Sequence, residues 1–209
     1  MSAQGFWGRH RVIPLVVMDR AEDATPTAEA LAEGGLPIIE VAYRTPKAQA
    51  VVRRLARMPG LVVGAGTVVN EAQAEGAVDA GAQFLVSPGF AEWMQRVPER
   101  LGVPLLPGVA TPGETMRAYD AGFDTMKLFP ASVLGGVDAV SALASAFPGA
   151  RFIPTGGVTA ANAVDYLNLP EVAAVGGSWI APKPLISAGD FAQITQLARE
   201  AIELSEVGR

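Results

Sequence analysis

Of three lysines in the chain, against thirteen arginines, Lys127 is set in the apolar stretch DTMKLFP, where a strand would carry its amine into the interior. An ordinary lysine amine titrates near 10.4, so at pH 7 only about one in two thousand is neutral and nucleophilic. Burial and a nearby cation favour the neutral form. Lowering that value by roughly three represents ~4 kcal/mol, which only a built site sustains. A neutral amine there can add to a ketone and form an imine, an electron sink beside the substrate's carbon chain. The competing reading sends the ammonium past the strand end into water.

A second polar intrusion is IIEVAYRTP, with Glu40 and Arg44 four residues apart. Side chains an even number apart in a strand share a face, so both would point toward one cleft, with Arg44 nearer its rim. Arg44 offers a planar fork for a carboxylate, and Glu40 a titratable carboxyl deeper in. The alternative is an ion pair between the two. In VVGAGTVVN, Gly64 and Gly66 would let a backbone approach a ligand, and Thr67 presents a hydroxyl at the strand end. The third glycine of a dinucleotide fingerprint is missing there, and Asn70 reads as the cap of the next helix. FIPTGGV and AVGGSWI carry paired glycines suited to presenting backbone N–H groups to a phosphate: Gly156 and Gly157, then Gly176 and Gly177 followed by Ser178. Thr155, just before the first pair, would hold a substrate hydroxyl. FLVSPGF and LLPGVATPGE read as tight turns, with Ser87 a turn residue, and Trp7 and Trp93 as packing residues.

These residues need elements that converge. Strands are predicted at 12–17, 37–42, 61–65, 83–87, 103–107, 125–129, 152–155 and 172–175, nearly continuous in apolar character, as in a parallel sheet covered on both faces. Thr25-Pro26, Thr45-Pro46 and Thr111-Pro112 each predict a capping hydroxyl before a proline at the first helical position, and Glu114 completes a capping box with Thr111. Glycines recur between helix and strand in AEGGLPIIE, DAGAQFLV and DAGFDTMKLF. The last helix, from Asp190 to about Ser205, should bury a stripe of Phe191, Ile194, Leu197, Ala201 and Leu204. Eight alternating units predict a single-domain (β/α)₈ barrel over residues 1–209, with an open doubly wound sheet as the alternative. In a barrel, all strand C-termini share one mouth.

Composition narrows the function classes. A net charge of −5 speaks against a nucleic-acid footprint, and Arg53, Arg54 and Arg57 read as a solvated helix face. Cysteine is absent, and one histidine, His10, lies outside the strand ends, so neither a thiol nucleophile nor a metal-dependent aldolase site is expected. No apolar run approaches the ~20 residues of a membrane span, which predicts a cytoplasmic protein.

With EVAYRTP, VGAGTVVN, FLVSPGF, LLPGVATPGE, MKLFPA, PTGGV and VGGSWI in that order, the sequence resembles the 2-keto-3-deoxy-6-phosphogluconate (KDPG) aldolases. These are class I aldolases of the Entner–Doudoroff pathway that often also cleave 4-hydroxy-2-oxoglutarate. The resemblance implies a (β/α)₈ barrel, a homotrimer, and no metal or organic cofactor. It matches Lys127 to the Schiff-base lysine, Glu40 to the general acid/base, Arg44 and Thr67 to the pyruvate carboxylate contacts, and the glycines of PTGGV and GGSWI to the phosphate loops. Thr155 falls at the position that selects the gluconate over the galactonate isomer. The expected substrate-binding set is Arg44, Thr67, Pro88, Thr155, Gly156, Gly157, Gly176, Gly177 and Ser178. Alternatives are an aldolase for the galactonate isomer or for unphosphorylated 2-keto-3-deoxy sugars, and a non-catalytic phosphosugar-binding barrel.

Overall fold

Continuous apolar runs and amphipathic runs alternate along the chain, and each becomes an element in the computed structural model, which describes residues 10–207. In order these are β1 (Val12–Val16), α1 (Ala24–Glu33), β2 (Ile38–Ala42), α2 (Ala48–Leu55), β3 (Val62–Gly66), α3 (Glu71–Asp79), β4 (Phe84–Val86), α4 (Val97–Leu101) and β5 (Leu105–Leu106). There follow β6 (Gly108–Val109), α5 (Pro112–Asp120), β7 (Thr125–Leu128), α6 (Val137–Ala146), β8 (Arg151–Pro154), α7 (Ala163–Leu167), β9 (Val175–Gly177), α8 (Lys183–Ala188) and α9 (Phe191–Val207). Trp7 and the N-terminal segment lie outside the described residues.

All strands pair in parallel, in the orders β5-β4-β3-β2-β1-β9 and β6-β7-β8. Two features close these arcs into a barrel and exclude the open sheet. The predicted fifth strand hands over at Pro107: Leu105 and Leu106 pair with β4, Gly108 and Val109 pair with β7, and the Pro107 carbonyl accepts from Lys127 N at 2.8 Å. A proline has no N–H to give the ladder, so the break falls there. On the other side, parallel bridges Phe152↔Val172 and Thr155↔Gly176 join β8 to the last strand. That strand is regular only over Val175–Gly177, later than the predicted 172–175.

The recurring glycines behave as predicted. Gly35, Gly81 and Gly122 each lie two residues past a helix and take φ of 93°, 100° and 90°, the left-handed turn that returns the chain to the sheet. Thr111 and Glu114 form the capping box, and Asn70 accepts from Gln73 N at 2.9 Å. The other two proline signals misplace their helices. Helix α1 begins at Ala24, so Thr25 and Pro26 lie in its first turn, and α2 begins at Ala48 while the Thr45 hydroxyl donates to the Met18 carbonyl. Pro26 is tolerated in the first turn because those N–H groups have no intrahelical partner, whereas Pro46 precedes its helix altogether. The buried face of α9 keeps Ile194 and Ala201 of the predicted stripe but is turned so that Thr195, Ala198 and Ser205 are buried while Phe191, Leu197 and Leu204 are half-buried. Its backbone crosses Gly34 so closely that a Cβ there would strike Ala198, which favours small residues at the crossing.

The barrel interior is filled by Ile13, Ile38, Phe84, Val86, Leu106 and Ile153 with Ala173 and Ala174. Glycines make the room. Gly64 lies opposite Phe84 in register, and a Cβ at 64 would occupy the Phe84 ring. Gly64→Ala should therefore destabilise the fold by about 1–3 kcal/mol through overpacking. Urea unfolding measures this, and a midpoint equal to that of the parent chain would mean that the ring moves aside freely.

Candidate active site

Inward-facing positions near the C-terminal ends of the strands are polar where those below them are apolar. On β2, Ile38 packs in the interior and Glu40, two residues on, faces the same way one layer nearer the mouth. On β7, Lys127 shares its face with Thr125 and alternates with the apolar Met126. Glu40 and Lys127 are each only 3% exposed, and Lys127 Nζ stands 3.6 Å from Glu40 Oε1. This settles two questions the sequence left open: the Lys127 amine does not reach out into water, and the ion partner of Glu40 is Lys127, not Arg44.

The carboxyl of Glu40 has its place because β3 presents glycine on the same face. A Cβ at Gly66 would collide with the Glu40 carboxyl. The two glycines of VVGAG thus clear space for side chains of neighbouring strands, which corrects the expectation that they bring backbone up to a ligand. Glu40 Oε1 accepts no hydrogen bond within the protein, so a buried acceptor is left facing the amine.

Arg44 follows the end of β2, exposed at the rim, and its Nε donates to Thr67 Oγ1 at 3.3 Å. Thr67 comes immediately after β3 and holds φ of 60°. A β-branched residue in that region is an outlier costing of order 1–3 kcal/mol, and such conformations cluster where a side chain must be aimed. On the opposite face of the Glu40–Arg44 stretch, Tyr43 packs against the hydrophobic core, and burial pushes its phenol up to about 12.

The remaining predicted residues ring the same mouth. Pro88 follows β4 and lies against Gly108, which is itself opposite Lys127 in register. Thr155 is buried at the end of β8, and a Cβ at Gly176 would stand 2.6 Å from its Oγ1. The Thr155↔Gly176 bridge sets the two glycine pairs side by side. Gly156 and Gly157 take φ of 90° and 79°, with their carbonyls accepting from Ser132 N and Asn162 Nδ2, both at 3.0 Å. Ser178 is exposed beyond β9. Ser87 accepts from Gly89 N at 3.4 Å, the turn role expected of it.

Two neighbours of this site had no place in the sequence reading. Phe129 sets its ring against the Lys127 amine, 5.4 Å from Nζ to the ring centroid, and its spacing of two from Lys127 was the available signal. Ser132 occupies the space that a side chain at 157 would need, and no local pattern announces it. Together the geometry offers a buried amine beside a buried carboxyl, a guanidinium at the rim, and an adjoining loop of glycine backbone.

The family model "KDPG and KHG aldolase" matches residues 7–197. The KHG/KDPG aldolase of Escherichia coli (strain K12) is 43% identical over 203 residues, covering 97% of this chain and 95% of the relative. Among solved structures, the KDPG aldolase of Legionella pneumophila, with pyruvate captured as a covalent carbinolamine intermediate, is 38% identical at a TM-score of 0.92, covering 96% and 98% of the two chains. That of Zymomonas mobilis ZM4 with 3-phosphoglycerate is 42% identical at a TM-score of 0.89, covering 96% and 94%.

Proposed function

The chain belongs to the KDPG and KHG aldolase family and is a class I aldolase, and from that premise we propose how its own residues cleave 2-keto-3-deoxy-6-phosphogluconate to pyruvate and glyceraldehyde 3-phosphate. The carrying observation is the buried Lys127 amine 3.6 Å from the Glu40 carboxyl, under a rim that bears Arg44 and the glycine loops.

Neutral Lys127 Nζ adds to C2 of the keto acid, giving a carbinolamine that loses water to become an iminium. Glu40 takes the proton of the C4 hydroxyl as the C3–C4 bond breaks. The bonding pair flows into the iminium, so the aldehyde leaves and a neutral enamine remains on Lys127. Glu40 returns its proton to C3, and water hydrolyses the resulting iminium to pyruvate and free amine. Arg44, with Thr67 oriented by its φ of 60°, takes the substrate carboxylate. Pro88 forms part of the wall beside Lys127. Gly156, Gly157, Gly176, Gly177 and Ser178 receive the phosphate, and Thr155 a hydroxyl of the chain between them. The Zymomonas mobilis relative holding 3-phosphoglycerate supports a phosphate subsite. The family resemblance supports a single-domain, cytoplasmic homotrimer that also accepts 4-hydroxy-2-oxoglutarate.

Initial rates with the gluconate substrate, its galactonate epimer and the dephosphorylated analogue test this reading. The expected order has the phosphorylated gluconate highest in kcat/KM, with the loss on dephosphorylation mainly in KM. Equal kcat/KM with and without phosphate would overturn the phosphate assignment, and preference for the galactonate epimer the assignment of Thr155.

A further inference from the structure

The nitrogen of Lys127 lies between two unlike partners: the Glu40 carboxyl on β2 at 3.6 Å, and the ring of Phe129 at 5.4 Å to its centroid. Phe129 continues the ladder beyond β7, its N–H donating to the Val109 carbonyl at 3.1 Å, which keeps it on the inward face with Lys127. The ring is braced by the loop after β8. Gly156 packs on it so closely that a Cβ there would be 3.2 Å from Cδ2 and Cε2, and 3.2 Å from the α-carbon of Pro130. With Lys127 only 3% exposed, its nitrogen and the π face meet with little competing water, where a positive charge on that nitrogen gains most from the ring.

We propose that Phe129 is a positioning residue for the Schiff base, its π face stabilising positive charge on the Lys127 nitrogen and so raising the population of the iminium. This rests on the reading of Lys127 given above. The physical reason for a ring here is that the carboxyl cannot serve as a constant counter-charge. Glu40 is neutral whenever it carries the proton it shuttles, whereas the quadrupole of the ring is unaffected by that traffic. Arg44 is a cation at the rim and opposes the iminium. The ring therefore remains attractive through every stage in which the nitrogen is positive.

The test replaces Phe129 by 4-fluoro-, 3,5-difluoro- and pentafluorophenylalanine, which weaken the quadrupole stepwise at nearly constant shape, alongside Phe129→Leu. The readout is the pyruvate concentration giving half-maximal borohydride trapping, taken at a pH high enough that this concentration no longer changes with pH, so that the iminium is compared with the neutral amine, with melting temperatures recorded for each variant. The expected result is a monotonic rise across the series, reaching about 2- to 30-fold from Phe to the pentafluoro ring, with Phe129→Leu at the weak end. A flat fluorine series overturns the proposal, whether or not Phe129→Leu binds pyruvate poorly, because ring shape alone would then account for any loss. If the unmodified protein traps no pyruvate, the Schiff-base reading itself falls, an outcome distinct from a flat series on a protein that does trap it.

Discussion

Lys127→Arg will leave a folded barrel that gains no mass on borohydride reduction with pyruvate, and its kcat will fall by at least about 10⁴-fold. Arginine places a cation opposite Glu40 but cannot lose its proton, so it preserves the buried pair while removing the proposed nucleophile. Lys127→Ala should behave alike in trapping but with lower stability, because the Glu40 carboxyl is then left buried without its ion partner, a change that costs about 3–5 kcal/mol in such pairs. The other two lysines offer no substitute. Lys47 is exposed just ahead of α2, and Lys183 is half exposed and pairs with Asp19 at 2.8 Å. Neither is enclosed beside a buried carboxyl as Lys127 is. Intact mass and peptide mapping are decisive: an adduct surviving in Lys127→Arg, or mapping to Lys47 or Lys183 in the parent chain, would refute the role of Lys127.

Glu40→Gln should slow turnover by about 10²–10⁴-fold while pyruvate trapping persists. Glutamine retains the size of the side chain above Gly66 but cannot shuttle a proton, so the steps that move protons at the C4 hydroxyl and at C3 lose the carrier proposed for them. Trapping requires only the amine and the ketone. The two effects separate by experiment: exchange of pyruvate methyl protons in deuterium oxide, followed by NMR, reports enamine formation and should fall in parallel with kcat. Exchange at the parent rate in Glu40→Gln would assign proton transfer to another group. Loss of trapping together with exchange would indicate that glutamine disturbs the amine itself, and melting curves would identify a general loss of fold.

Much of this site is legible along the chain because its polar residues are placed where local rules disfavour them. Glu40 and Lys127 interrupt apolar strands, and burial of an unpaired charge is costly enough that each announces a partner or a role. The period of two then assigns Arg44 to the face of Glu40. The same logic extended to Phe129 would have found the ring beside Lys127. Where local signals were read too literally they failed. Thr25-Pro26 and Thr45-Pro46 look like Thr111-Pro112, yet only Thr111 of the three caps its helix: Pro26 sits inside a first turn, where its missing N–H costs nothing, and the Thr45 hydroxyl, ahead of its helix, takes the Met18 carbonyl that the fold brings near.

By itself the sequence determined the alternation of strands and helices, the helix-ending glycines, the candidate residues for the chemistry, and the ordered motifs that carry the family. Tertiary structure alone decided that Glu40 meets Lys127 rather than Arg44, that Gly64 and Gly66 yield their space to Phe84 and Glu40, and that the fifth strand divides at Pro107 to close the barrel. The division has a physical cause. Backbone periodicity and side-chain polarity act between near neighbours in the chain and fix which face a residue presents. Distances across the mouth depend on strand register and on barrel closure, which join residues far apart in sequence and leave no local signature.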